Sequence, residues 1–270
     1  VFKYGGVQTS IYNALRSSQS SSPYYNKSTD AYCYIGTEKP NHDVVIVGWD
    51  DSYSKDNFNT DLEGDGAFIC QNSWGDNFGE NGFFYISYYD TNIGTHNVVY
   101  TDIENTDNYD HIYQSDLCGW VGQLGYNKDS IYGANVFTAE GNETLKAASF
   151  YATGKDSQYE LYVVRQFEDE TSLEKMIPVA SGKLGNAGYY TVDFNQGIEV
   201  DAGERYAVVL YIITPGSVHP MAIEYAADEA TENVDLDDGE SYISANGSKW
   251  VSVDTVEKSN LCIKAFSDNR

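Results

Sequence analysis

Gln71-Asn72-Ser73-Trp74-Gly75-Asp76-Asn77-Phe78-Gly79-Glu80-Asn81-Gly82-Phe83-Phe84 is the stretch on which the reading of this chain turns. It follows Gly66-Ala67-Phe68-Ile69-Cys70, a short apolar run with the look of a strand. An asparagine oxygen can accept a hydrogen bond from an imidazole N–H without adding a buried negative charge. A neighbouring tryptophan can cover that bond and exclude water, which strengthens it. Glycines at 75, 79 and 82 let the chain turn tightly behind such a layer. The plain alternative is a glycine-rich turn over a packed tryptophan, and the combination of residues is too particular for it.

The imidazole to match lies 30 residues earlier, at His42. Asn41-His42 opens into Asp43-Val44-Val45-Ile46-Val47-Gly48-Trp49, a continuous apolar run expected to form a strand buried on both faces. A lone histidine at a strand entry is ordinarily structural. Paired with Asn72 it reads as the base of a nucleophilic site, because a cysteine–histidine pair needs a third group to orient the imidazole. Between the two, Asp50 to Gly66 is polar and acidic and is expected to be a long exposed loop.

Charge narrows the function further. The 270 residues hold 16 Lys and Arg against 41 Asp and Glu, a formal net charge of −25, which argues against nucleic acid or an anionic membrane surface as partner. No apolar run is long enough to span a bilayer. Abundant tyrosine with few lysines fits an exported bacterial β-rich protein. Val1 to Val7 reads as the end of a helix, a glycine turn and the entry to a strand, so the chain is expected to be a fragment or a processed product. The length suggests two domains. Residues 102–110 are polar throughout and are the expected linker, giving domains at 1–101 and 102–270. After it, short apolar segments recur between Gly, Asn and Asp turns, among them 147–152, 159–164, 189–194, 206–213 and 261–266, which argues for a β-sandwich or barrel.

The four cysteines, Cys33, Cys70, Cys118 and Cys262, form no CxxC pair, so a zinc ribbon or thioredoxin-like motif is not supported. Cys70 reads as a buried inert thiol, and Cys118 and Cys262 are placed where they could pair. His96, His111 and His219 have no partners at metal-ligand spacing. Asn26, Asn142 and Asn246 head glycosylation-type triplets, which short sequences match by chance.

Asn41 to Trp49 resembles the histidine motif of papain-like cysteine peptidases, and Gln71 to Gly75 with the glycine–aromatic pairs after it is similar to their asparagine motif, in the family's order. The resemblance covers Val7 to about Tyr88. It implies that His42 is the general base, Asn72 its orienter and Trp74 the shield over their contact. It also implies a nucleophilic cysteine well upstream, and none is available before Val1. Cys33, nine residues before His42, lacks the helix and the preceding glutamine–glycine context, and reads as structural. Three readings stay open: one product of a cleaved peptidase whose other piece supplies the thiol, a truncated piece, or an inactive derivative serving as scaffold for a wall- or protein-binding module. Transglutaminase-type enzymes pair their histidine mostly with aspartate, which Asn72 argues against.

Residues 109–116 with 198–209 resemble the lectin-like domain that follows the peptidase domain in some bacterial surface cysteine peptidases, including clostridial surface-layer processing enzymes. The expected fold is therefore mainly β, the β-rich half of a papain-like (α+β) domain followed by a jelly-roll-like sandwich. The resemblance implies a secreted or cell-surface endopeptidase acting on protein or peptide. Its partners would be an N-terminal half carrying the cysteine and cell-wall components. The chemistry needs no cofactor. A structural calcium ion in the sandwich is implied, with Asp110, Asp116 and the cluster 235–240 as available oxygens.

Overall fold

The structure, a computed structural model, describes residues 1–237 and 239–270. It divides into two compact units, Val1–Glu104 and Asn105–Arg270, so the division falls inside the polar stretch read as a linker.

The first unit is one seven-stranded sheet built from β1 (Val7–Ile11), β2 (Tyr25–Asn26), β3 (Ala31–Tyr32), β4 (His42–Asp50), β5 (Ala67–Gln71), β6 (Phe83–Ser87) and β7 (Thr95–Val98), in the order β2-β3-β6-β5-β4-β1-β7. Before β1, the Gly5 N–H donates to the Val1 carbonyl at 2.8 Å with Gly5 at φ +82°, the left-handed ending of a single helical turn. Ile11, Val44, Ile46, Phe78, Phe84 and Ile86 form the core of the unit.

Two expectations need correction here. The run from Val44 to Trp49 is buried on one face only: Val44 and Ile46 pack inward, whereas Val47 is 39% and Trp49 46% exposed. The pleat sends alternate side chains to opposite faces, and in this unit only one of them meets the core. The segment between β4 and β5 is not simply an exposed loop. Phe58 and Leu62 are buried with Ala31, Cys33 and Ala67 in a small apolar cluster of their own, and Thr60 Oγ1 donates to the Cys33 carbonyl at 2.9 Å. Its polar composition concealed two anchors.

The second unit contains β8 (His111–Tyr113), β9 (Gly122–Leu124), β10 (Ser130–Thr138), β11 (Glu143–Ala152), β12 (Ser157–Val164), β13 (Ile177–Leu184), β14 (Gly188–Val200), β15 (Arg205–Ile213), β16 (Met221–Glu224), β17 (Ser241–Ser244), β18 (Trp250–Ser252), β19 (Asn260–Leu261) and β20 (Ile263–Asn269). A six-stranded sheet, β13-β12-β15-β10-β17-β18, faces a four-stranded sheet, β14-β11-β20-β8, with a three-stranded sheet, β19-β16-β9, beside them. Alternate residues of β12 and β15 (Leu161, Val163, Val208, Leu210, Ile212) meet Leu145, Phe150, Phe194 and Ile263 from the opposite sheet in one continuous core. This is the jelly-roll-like sandwich, and the chain is mainly β. No helix among the described residues is long and apolar enough to cross a membrane.

Candidate active site

His42 is the first residue of β4, and Asn72 follows the last residue of β5. Antiparallel pairing of these strands, with Val45 opposite Gln71 and Ile46 opposite Cys70, carries the two side chains to the same end of the sheet. There His42 Nε2 lies 2.9 Å from Asn72 Oδ1. The same oxygen accepts the Ser73 backbone N–H at 2.8 Å. That N–H is always a donor, so it holds the amide with its oxygen, not its NH2, toward the ring. Nε2 is then the donor of this contact, and in the neutral ring Nδ1 is the nitrogen with the lone pair. An imidazole in this tautomer is a base poised on its Nδ1 side.

Trp74 stands beside the His42 ring. Its ring centroid is 5.3 Å from that of His42, and its far side meets the buried Phe78 edge-to-face at 5.2 Å. Phe78 in turn packs on Tyr25 and Phe84, so the tryptophan is backed by core. The turn that makes this possible depends on Gly79. It stands at φ +56°, and a Cβ there would come within 2.0 Å of the Phe83 carbonyl oxygen. Asn72 itself is 8% exposed, tied by its N–H to the Gly82 carbonyl at 2.9 Å.

His42 borders two open depressions of about 520 and 420 Å³. The first is lined by Ser10, Pro40, Asp43, Ser73 and His96, the second by residues 12–16 and Trp74. Asn41 lines both and ties down Asn13: its Oδ1 accepts the Asn13 N–H at 2.7 Å and its Nδ2 donates to the Asn13 carbonyl. Sequence reasoning named His42, Asn72 and Trp74 and missed Ser10, Asp43 and His96. Asp43 stood inside the quoted histidine stretch, but the other two reach the site only through the pairing of β1 with β4 and β7.

No cysteine lines either depression among the described residues. Cys33 is fully buried, and burial, reinforced by Asp90, pushes its thiol up to about 12. That is the opposite of the electropositive, accessible setting a reactive thiolate needs. All four cysteines are free thiols. Cys118 and Cys262 are therefore not bonded: Cys118 is exposed with its backbone N–H on Glu224 Oε1, whereas Cys262 is buried.

Several of the oxygens considered for calcium have partners within the chain. Asp110 Oδ2 accepts from the backbone and side-chain amides of Asn269. Asp116, 1% exposed, faces Lys264 Nζ at 3.1 Å, so an ammonium already stands where a metal would compete. In the cluster 235–240, Asp237 pairs with Lys258 and Glu240 with Arg205, and Asp238 lies outside the described residues. No three His, Cys, Asp or Glu among the described residues are grouped to hold a metal.

Comparison with known proteins agrees with this architecture. The family model for the papain family cysteine protease matches residues 5–103, and that for the lectin like domain matches residues 112–267. Among solved structures, the clostridial cysteine protease Cwp84 after propeptide cleavage is similar with a TM-score of 0.83 and 28% identity, over 100% of this chain and 66% of that one. The cysteine protease and lectin-like domains of Cwp84, a surface layer associated protein of Clostridium difficile, give 0.79 and 26%, over 100% of this chain and 60% of that one. The chain thus spans less than two thirds of the length of either. No curated protein matches it in sequence. The chain belongs to the lectin-like domain family, and it joins that domain to a papain-family cysteine protease segment.

Proposed function

We propose that this chain supplies the base and the orienting amide of a papain-type cysteine endopeptidase, with the nucleophilic thiol contributed by residues outside this sequence. The observation that carries the reading is the His42–Asn72 contact at 2.9 Å, with the amide oriented by the Ser73 N–H. In this reading His42 Nδ1 takes the thiol proton, and the thiolate attacks the scissile carbonyl to form an acyl-enzyme. The imidazolium then returns the proton to the leaving amine, and in the second half the same ring activates water. Asn72 holds the ring through both proton transfers, and Trp74 keeps water from their hydrogen bond. The substrate is protein or peptide. Cwp84 is surface layer associated, which supports a secreted or cell-surface location here as well.

The test is proteolysis by the full-length gene product. Cleavage should be abolished by a thiol-alkylating reagent and lowered about 10⁴-fold by His42→Ala, the upper end of what general acid–base catalysis contributes. Activity indifferent to either would overturn the reading. The alternative is an inactive peptidase segment serving as scaffold while the sandwich binds wall polymer or protein. It is favoured by one observation, the burial of Cys33, which removes the cysteine nearest His42 in sequence. Retention of residues 109–267 on cell-wall material, together with the absence of thiol-dependent cleavage, would support it.

A further inference from the structure

The first depression beside His42 has a chemical character that the proton-transfer machinery does not use. Strands β1 and β4 pair Ser10 with Asp43 and Ile11 with His42. Ile11 is buried, whereas Ser10 and Asp43 turn to the other side and line the depression with Ser73 and His96. Asp43 Oδ1 accepts from Ser10 Oγ at 2.6 Å, and Oδ2 from Gln8 Nε2 at 3.3 Å. Gln8 is in turn held by Tyr100, whose hydroxyl donates to Gln8 Oε1 at 3.1 Å, and His96 Nδ1 stands 3.3 Å from Ser10 Oγ. The carboxylate is thus fixed in place by uncharged donors. Among the described residues no lysine or arginine pairs with it. A positioned, accessible carboxylate with no countercharge, on the wall of a cavity of about 520 Å³ next to the reacting base, is a receptor for a cation.

We infer that this depression selects a lysine or arginine side chain of the substrate, with Asp43 as the residue that sets the preference. The inference rests on the peptidase reading above. The volume admits a long side chain, and the polar wall offers nothing to an apolar one. Substrate charge would be met by Asp43 while the scissile bond lies at His42, so the effect belongs mainly to KM.

The experiment uses the full-length gene product and peptides carrying Lys, Arg, norleucine or Glu in turn at each position flanking the scissile bond. At one position Lys and Arg should exceed norleucine in kcat/KM by about tenfold, the scale of a hydrogen bond to a charged group. Asp43→Asn keeps the oxygen that accepts from Ser10 and removes the charge, together with the acceptor that Gln8 Nε2 uses. It should bring that ratio to within about twofold, the change falling on the KM of the Lys and Arg peptides. Asp43→Glu should restore part of the preference, and added salt should weaken it in the native protein only. Thiol-dependent cleavage with no basic preference, or with one that survives in Asp43→Asn, overturns the inference and leaves the peptidase reading standing. Absence of thiol-dependent cleavage overturns both.

Discussion

In the first unit the decisive polar side chains stand at strand ends: His42 and Asp43 at the start of β4, lining an open depression, and Asn72 just beyond β5. In the second unit Asn135 and Glu143 are sealed inside the sandwich and answered from within. Asn135, on β10, donates to the Leu261 and Ile263 carbonyls and accepts from Ser241 Oγ. Glu143, with no exposed surface, accepts from Tyr113, Ser267 and the Gly141 N–H. A polar group met on all sides fixes a structure, whereas one left with a free lone pair toward a cavity can act on something else. The contrast fits the chemistry proposed for the first unit.

The largest effect should come from the sandwich core. Phe150→Ala should lower the unfolding free energy of the second unit by about 3–5 kcal/mol. Denaturation followed by tryptophan fluorescence and circular dichroism should separate two transitions, with the first unit's unchanged; a joint loss would break the comparison. Gly79→Ala should act on the other unit, costing about 2–3 kcal/mol through a strained left-handed backbone and contact with the Phe83 carbonyl. Its signature is a lower first transition and lost peptidase activity with the sandwich intact.

Glu143→Gln should cost about 1–3 kcal/mol near neutral pH. Burial pushes this carboxyl up, but the hydrogen bonds from Ser267, Tyr113 and Gly141 outweigh it and hold it below the ordinary value. A carboxyl depressed in the folded state contributes stability above its unfolded pKa of about 4.3 and loses it as pH falls through the folded value. The gap between native protein and variant, read from thermal melts, should therefore be widest near neutrality and close in acid. The smallest effect is expected at Trp74→Ala, which opens the His42–Asn72 bond to water. It should lower kcat/KM about fivefold, the equivalent of one net hydrogen bond of about 1 kcal/mol, with the melting of the second unit unmoved.

Local patterning made much of this molecule legible. Strands β5, β6, β12 and β15 lie within a few residues of their apolar runs. Strand β10 escaped notice because Gly133 and Asn135 interrupt it and read as turn residues. Asn135 is tolerated there only because its partners arrive from residues 241–263, far along the chain. Strand β13 contains Pro178 and Gly182 and was hidden for the same kind of reason.

For the site, residue type and order along the chain were enough to single out His42, Asn72 and Trp74, because an imidazole, an orienting amide and a cover are recognisable by their chemistry. The tautomer of the ring, the burial of Cys33 and the neighbourhood of Ser10, Asp43 and His96 were decided only by the fold. Each depends on strands pairing across tens of residues, and the sequence records which side chains are present but not which are brought within 3 Å of one another.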